Sequence, residues 1–192
     1  MVNQAKDLIL NPRGTMKKLK DEKVAMNDII LYLAVIAVPT FLGILIGYGV
    51  VGFGYGWGPY SFRVSLGAMA VPLAIIYYIL SIVGIIVFGY IFNALAPTFK
   101  SKQNLMQAQK LVAYAATPWL IAGILYIFPL IGILVLLAAL YGLYILYLGL
   151  PIFMETPKDQ QIIYLIIGII VFIVVMFVVY AISFSALLPV FY

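Results

Sequence analysis

Cysteine and histidine are both absent from this chain of 192 residues. Without thiols there are no disulfides, no thiolate nucleophile and no sulfur ligands; without imidazole there is no His-bound metal and no side chain that ordinarily titrates near neutrality. A chain with no thiol fits any redox compartment. Charge is scarce as well: charged residues make up 9% of the sequence, against about 25% in a soluble domain. From Leu111 to Met154 not one side chain is charged. Coupled transporters and intramembrane enzymes usually need ionisable groups inside the bilayer, and the apolar segments here contain none. The polar groups left there are Thr40, Ser81, Asn93, Thr117, Ser183 and Ser185, with no base beside a serine and no carboxylate pair. No enzyme activity, no cofactor and no metal are expected.

What fills the chain instead is hydrocarbon. Hydrophobic residues account for 66% of it, more apolar surface than a soluble fold of this size can hide, so lipid must be the solvent. A transmembrane β-barrel needs short segments that alternate apolar and polar residues. Runs such as Tyr164 to Tyr180 are apolar on every face, which is the pattern of a lipid-embedded helix. Apolar blocks span about 29–51, 67–96, 111–154 and 162–188. The third is about twice the ~20 residues that cross a bilayer core. Pro129 sits near its middle and cannot donate a helical hydrogen bond, so the block reads as a hairpin of two spans, 111–128 and 130–150.

Five spans make the charges coherent. Every basic residue except Arg63 falls before the first span, in the second linker or in the fourth, and short cytoplasmic loops retain Lys and Arg. The expected architecture is an all-α integral membrane protein: a bundle of five transmembrane helices with a cytoplasmic N-terminus and the C-terminus outside. Residues 1–28 form a cytoplasmic amphipathic segment and 29–192 the membrane domain. A cleavable signal is not expected here: charges fill the first 28 residues, and the run that follows is too long for one. Asn11 as cap with Pro12 in the first turn starts a short helix. Its stripe of Met16 and Leu19 beside Lys17 and Lys18 either lies flat on the inner leaflet or simply accompanies lysines that satisfy the positive-inside bias.

Several local patterns have two readings. The first linker, Gly47 to Tyr60, superficially resembles a potassium-channel filter but leaves no residues for a pore helix. The plainer reading is an aromatic belt of Tyr48, Phe53, Tyr55, Trp57, Tyr60 and Phe62 at the outer headgroups. Pro39, Pro72 and Pro118 each free a carbonyl inside a span. Gly43 with Gly47, and Ala138 with Gly142, are small-residue pairs that seat a neighbouring helix, either within the chain or in a second copy. Tyr141 and Tyr144 share a face of the fourth span and their hydroxyls need partners.

Around the hairpin the residues become familiar. Lys110 precedes Ala113-Tyr114, then Pro118-Trp119, Pro129, Tyr141, Tyr144 and Gly149, before a polar loop with Pro157-Lys158. This pattern resembles the Yip family of Rab-interacting five-span membrane proteins, particularly its shorter prokaryotic members. The resemblance implies a cytoplasmic N-terminus, five spans and a role in vesicle budding or membrane shaping, with Ala113, Tyr114, Pro118, Pro129, Tyr141, Tyr144 and Gly149 as the shared residues. The Asp-Leu-Tyr-Gly-Pro motif of eukaryotic members has no counterpart in residues 1–28, which puts Rab binding in doubt. Size, the lack of a retrieval signal and Ile/Val/Tyr-rich spans suggest a prokaryotic plasma membrane. The expected role is to organise or shape the membrane, or to scaffold other membrane proteins. The alternative is a small channel, transporter or lipid-handling protein. The expected partners are lipids, and then other membrane proteins or a second copy, with no nucleic acid. The expected contact face is basic: Lys17, Lys18, Lys20, Lys23, Lys100, Lys102 and Lys110.

Overall fold

In the computed structural model, residues 2–55, 62–128, 131 and 133–185 are described. Helices account for most of them: α1 (Val2–Leu10), α2 (Pro12–Asp21), α3 (Met26–Ile46), α4 (Ala70–Leu95), α5 (Leu105–Ala122), α6 (Ile133–Phe153) and α7 (Lys158–Ser185). Five of these, with their flanking turns, are long and apolar enough to cross a membrane. The expected hairpin is there: α5 continues as a 3₁₀ turn over Gly123–Ile127, and α6 begins at Ile133. Pro129 itself lies outside the described residues. So do Trp57 and Tyr60 of the expected aromatic belt. The backbone of that linker forms a two-stranded antiparallel pair, β1 (Phe53–Tyr55) with β2 (Phe62–Val64).

Local sequence explains where the helices start. The Asn11 side chain accepts the Gly14 N–H at 3.2 Å, with Pro12 in the first turn, as read from the sequence. Asn104 accepts the Gln107 N–H in the same way and starts α5. Asp28 reaches back to the Ala25 N–H at 2.9 Å, which fixes the start of α3. Such caps are worth about 1 kcal/mol each.

α5 is the axis of the bundle. From Ala108 to Leu120 nearly every side chain is buried, because α3, α4 and α6 surround it. In lipid no hydrophobic force drives helices together, so close backbone approach and interhelical hydrogen bonds do so. The Tyr32 and Thr117 hydroxyls meet at 2.7 Å, and Thr40 donates to the Leu120 carbonyl at 2.6 Å. Gly43 and Gly47 of the first span lie directly under the carbonyls of Gly123 and Tyr126, which places the partner of that small-residue pair within the chain. Gly142 lies under the Ala115 carbonyl, whereas Ala138 is half-buried.

α7 packs on the outside of α4. Its Tyr164 ring stacks between Phe92 and Phe99, 4.4 and 4.6 Å away, and its hydroxyl donates to the Phe92 carbonyl at 2.6 Å. Ile162, Ile166, Ile170, Ile173 and Phe177 leave the rest of this helix apolar and exposed, as lipid contact requires.

The N-terminal segment differs most from expectation. A helix, α1, precedes Asn11, and α1 with α2 forms a hairpin packed on the bundle rather than one helix lying flat. Leu8, Met16 and Leu19 are buried. Their stripe is covered by protein: Gly149 of α6, lacking a side chain, lets Leu111 of α5 lie close, and Met16 packs beside them.

Candidate functional site

Three chain segments meet at one end of the bundle: the α1–α2 hairpin, the linker between α4 and α5, and the turn between α6 and α7. Backbone and side chains tie them together. Lys102 N–H donates to the Met154 carbonyl at 2.7 Å, Ser101 donates to Thr156 at 2.9 Å, and Gln107 donates to the Lys20 carbonyl at 3.1 Å. Glu155 lies between Lys20 and Lys102, 3.7 and 3.3 Å from their ammonium groups. These pairs are half-exposed and each contributes less than about 1 kcal/mol. Lys17, Lys18, Lys23, Lys100 and Lys102 are exposed and Lys20 is half-exposed. This end of the bundle is therefore a basic face assembled from distant parts of the sequence.

Lys110 does not belong to that face. It was expected among the surface lysines, yet it is 1% exposed. The reason is that α5 starts at Leu105, so Lys110 sits a turn and a half inside a helix that neighbours enclose. Its ammonium donates to the carbonyls of Leu19, Lys20 and Glu22 at 2.7, 2.8 and 2.9 Å. Those are the carbonyls that a helix end leaves without partners, at the negative pole of the α2 dipole. Phe153 adds a ring face 5.8 Å away. One buried cation thus replaces a C-terminal cap and latches α2 to α5.

The elbow of the hairpin is held separately. Tyr141 donates to the Ile9 carbonyl at 2.7 Å. Tyr141 stands twelve residues before Phe153 on α6, roughly 18 Å along the axis at ~1.5 Å per residue. Leu10, at the tip, is 72% exposed. The hairpin therefore reaches about halfway along the bundle, and at its tip Leu10 faces outward beside exposed Asn11 and Arg13. Tyr144, its ring 5.8 Å from that of Tyr141, is 46% exposed.

Between the hairpin and the bundle lies a cavity of about 210 Å³. Gln4, Glu22, Asp28, Tyr32, Lys110 and Tyr114 give it its polar lining. Tyr114 comes from the Ala113-Tyr114 pair singled out in the sequence, and Ala113 lines the same cavity. Pro118, inside the same helix, is buried. The part played by Glu22, Gln4 and Tyr32 was not legible. A second, apolar cavity of about 320 Å³ runs between α4, α5, α6 and α7, past Phe88, Val112, Trp119, Leu140, Leu146 and Phe172. Among the described residues no group of three His, Cys, Asp or Glu stands close enough to hold a metal ion.

Comparison with known proteins gives a consistent picture. The family described as Yip1 domain matches residues 6–182. Similar proteins include the inner membrane protein YohC of Escherichia coli strain K12. It is 24% identical over 131 residues, which cover 67% of this chain and 66% of that protein. The YohC of Escherichia coli O6:H1 matches with the same values. The matched stretch thus falls just short of two thirds of these relatives' length. No solved structure matches the chain.

Proposed function

The chain belongs to the Yip1 domain family, and from that premise we propose that it is a non-enzymatic protein of a prokaryotic plasma membrane that shapes the bilayer from its basic, cytoplasmic face. The observation that carries this reading is the α1–α2 hairpin. It adds two helices to one half of the bundle only, where Tyr141 and Lys110 hold it. The cross-section of the protein is therefore larger in the leaflet next to the basic end. A body wider in one leaflet than the other favours curvature, convex on the wider side. Leu10 at the tip meets acyl chains, while the exposed Arg13, Lys17, Lys18 and Lys23 extend their charged ends to the headgroups. Scaffolding of other membrane proteins would use the same face.

Reconstitution of the full chain into vesicles tests this. Vesicle diameter should fall as protein density rises, and fall further with anionic lipid. Replacing Lys17, Lys18 and Lys23 together with glutamine should remove most of the anionic-lipid dependence, since each lysine near such a surface contributes about 1 kcal/mol. Vesicles of unchanged size across all densities and lipid compositions would sink the reading. A second reading, lipid handling, draws on the apolar cavity between α4, α5, α6 and α7, whose walls suit an acyl chain rather than an ion.

A further inference from the structure

We propose that the cavity under the α1–α2 hairpin binds the protonated primary amine of an aminophospholipid headgroup. The wall chemistry points to a cation. Glu22 and Asp28 both line the cavity, and neither forms an ion pair among the described residues. The carboxylate of Asp28 accepts one backbone N–H, from Ala25, and Glu22 has a single long contact, 3.5 Å from Gln4 Nε2. Both retain free acceptor positions. Lys110 is the one cation in the lining, and its three N–H groups are spent on the carbonyls of α2. The walls therefore carry an excess of one negative charge.

A second observation is independent of the carboxylates. Tyr114 is 6% exposed and lines the cavity, yet among the described residues its hydroxyl has no hydrogen-bond partner. The neighbouring Tyr32 hydroxyl is taken by Thr117. The ring is buried while the hydroxyl opens into the cavity, and a ligand amine, donating to it, would supply a bond that no side chain makes. The Tyr32 and Tyr114 rings meet edge to face at 5.4 Å and offer aromatic surface that favours an ammonium group.

The setting selects a lipid as the source of that amine. The cavity lies at the first turns of α3 and the second and third turns of α5, which is headgroup depth for spans that begin there. It shares Glu22, Val24, Asp28 and Lys110 with an open cleft that also carries Asp21, Lys20, which pairs with Glu155, and Lys23, which forms no ion pair among the described residues. A zwitterionic headgroup would place its ammonium inside, against the carboxylates, and its phosphate in the cleft beside Lys23. A bulkier quaternary amine cannot donate to carboxylates, and a headgroup without an amine leaves the cavity unfilled.

The inference rests on reading this face as lipid-facing. Its test is done in detergent, where vesicle shape plays no part, so the two can fail separately. Purified, delipidated full-length protein is offered phosphatidylethanolamine, phosphatidylcholine or phosphatidylglycerol, and retained lipid is counted by native mass spectrometry. Phosphatidylethanolamine should be retained about tenfold better than either of the others. Glu22→Gln should abolish that preference and Tyr114→Phe should reduce it several-fold. Asp28→Asn, which keeps an acceptor for the Ala25 N–H, serves as a second carboxylate variant should Glu22→Gln fold poorly. Free ethanolamine at the lipid's concentration should displace nothing; displacement would assign the cavity to a soluble amine and overturn the lipid assignment. Equal retention of all three lipids, a preference for phosphatidylglycerol, or a preference unchanged in the carboxylate variants would overturn the proposal.

Discussion

Replacing Lys110 with methionine is expected to release the α1–α2 hairpin while the five spans stay folded. Methionine fits the tunnel that the lysine stem occupies, so packing is largely kept. What disappears is a charge-assisted hydrogen bond to each of three carbonyls, Leu19, Lys20 and Glu22. Bonds of this kind contribute about 1.5–3 kcal/mol each when both partners are buried. Partial rehydration of the freed carbonyls returns some of that. A net loss of about 3 kcal/mol is roughly a 100-fold shift towards the undocked hairpin. Trypsin reads this directly, because Lys17, Lys18, Lys20 and Lys23 are cleavable once α2 lets go. Cutting there should accelerate on the order of 100-fold in Lys110→Met. Lys110→Arg should fall between, since a planar guanidinium cannot converge on three carbonyls as an ammonium does. Digestion unchanged in Lys110→Met would show that the latch is not what holds the hairpin.

The second large effect is expected where α3 crosses the end of α5. A methyl group at Gly43 would fall on the Gly123 carbonyl oxygen, and one at Gly47 on that of Tyr126. One at Gly123 would meet the Thr40 hydroxyl, with the Thr40 Cα 2.8 Å away. The obstructing atoms are largely backbone, so no rotamer change relieves them. Gly43→Ala and Gly123→Ala should each cost at least about 3 kcal/mol, the upper end for overpacking, seen as a lowered thermal midpoint and loss of a monodisperse peak in detergent. Gly168→Ala is the control. Its methyl meets the Phe92 ring edge at 2.8 Å, a side chain with some room to tilt, and should cost about 1 kcal/mol. Were the Gly43–Gly47 pair instead a dimer contact, Gly43→Ala would yield a stable monomer with an undiminished midpoint.

These two places also mark how far the sequence could be read. The five spans follow from hydrocarbon length alone, and splitting the uncharged run from Leu111 to Met154 needed only one proline and the bilayer thickness. The start of α2 was visible because Asn11-Pro12 is a local signal. Lys110 was misplaced because counting charges along a chain assigns each lysine to the nearest linker. Its partners are backbone carbonyls about ninety residues earlier, which no side-chain pattern announces. Asn104 was the available clue: a cap there starts the helix at Leu105 and carries Lys110 inside. The Gly43–Gly47 spacing advertised a close helix contact, yet whether the other backbone was internal depended on the fold. α1 was missed for a simpler reason. Nine residues with both charges and a modest apolar stripe, Ala5 and Leu8, look like any polar leader until a groove between helices is there to receive them.

The central claim is that the basic segments form one face on the cytoplasmic side, with the hairpin docked against it. The absence of native cysteine makes its test clean, since any introduced thiol is the only one in the chain. Lys18→Cys, Lys102→Cys, Lys158→Cys and Ser65→Cys variants would be treated with a membrane-impermeant maleimide in sealed vesicles of both orientations. The account predicts labelling of the first three only when the cytoplasmic surface faces the reagent, and of Ser65→Cys only in the opposite orientation. Labelling of Lys18→Cys and Lys102→Cys from opposite sides, or of Ser65→Cys from the cytoplasmic side, would contradict it.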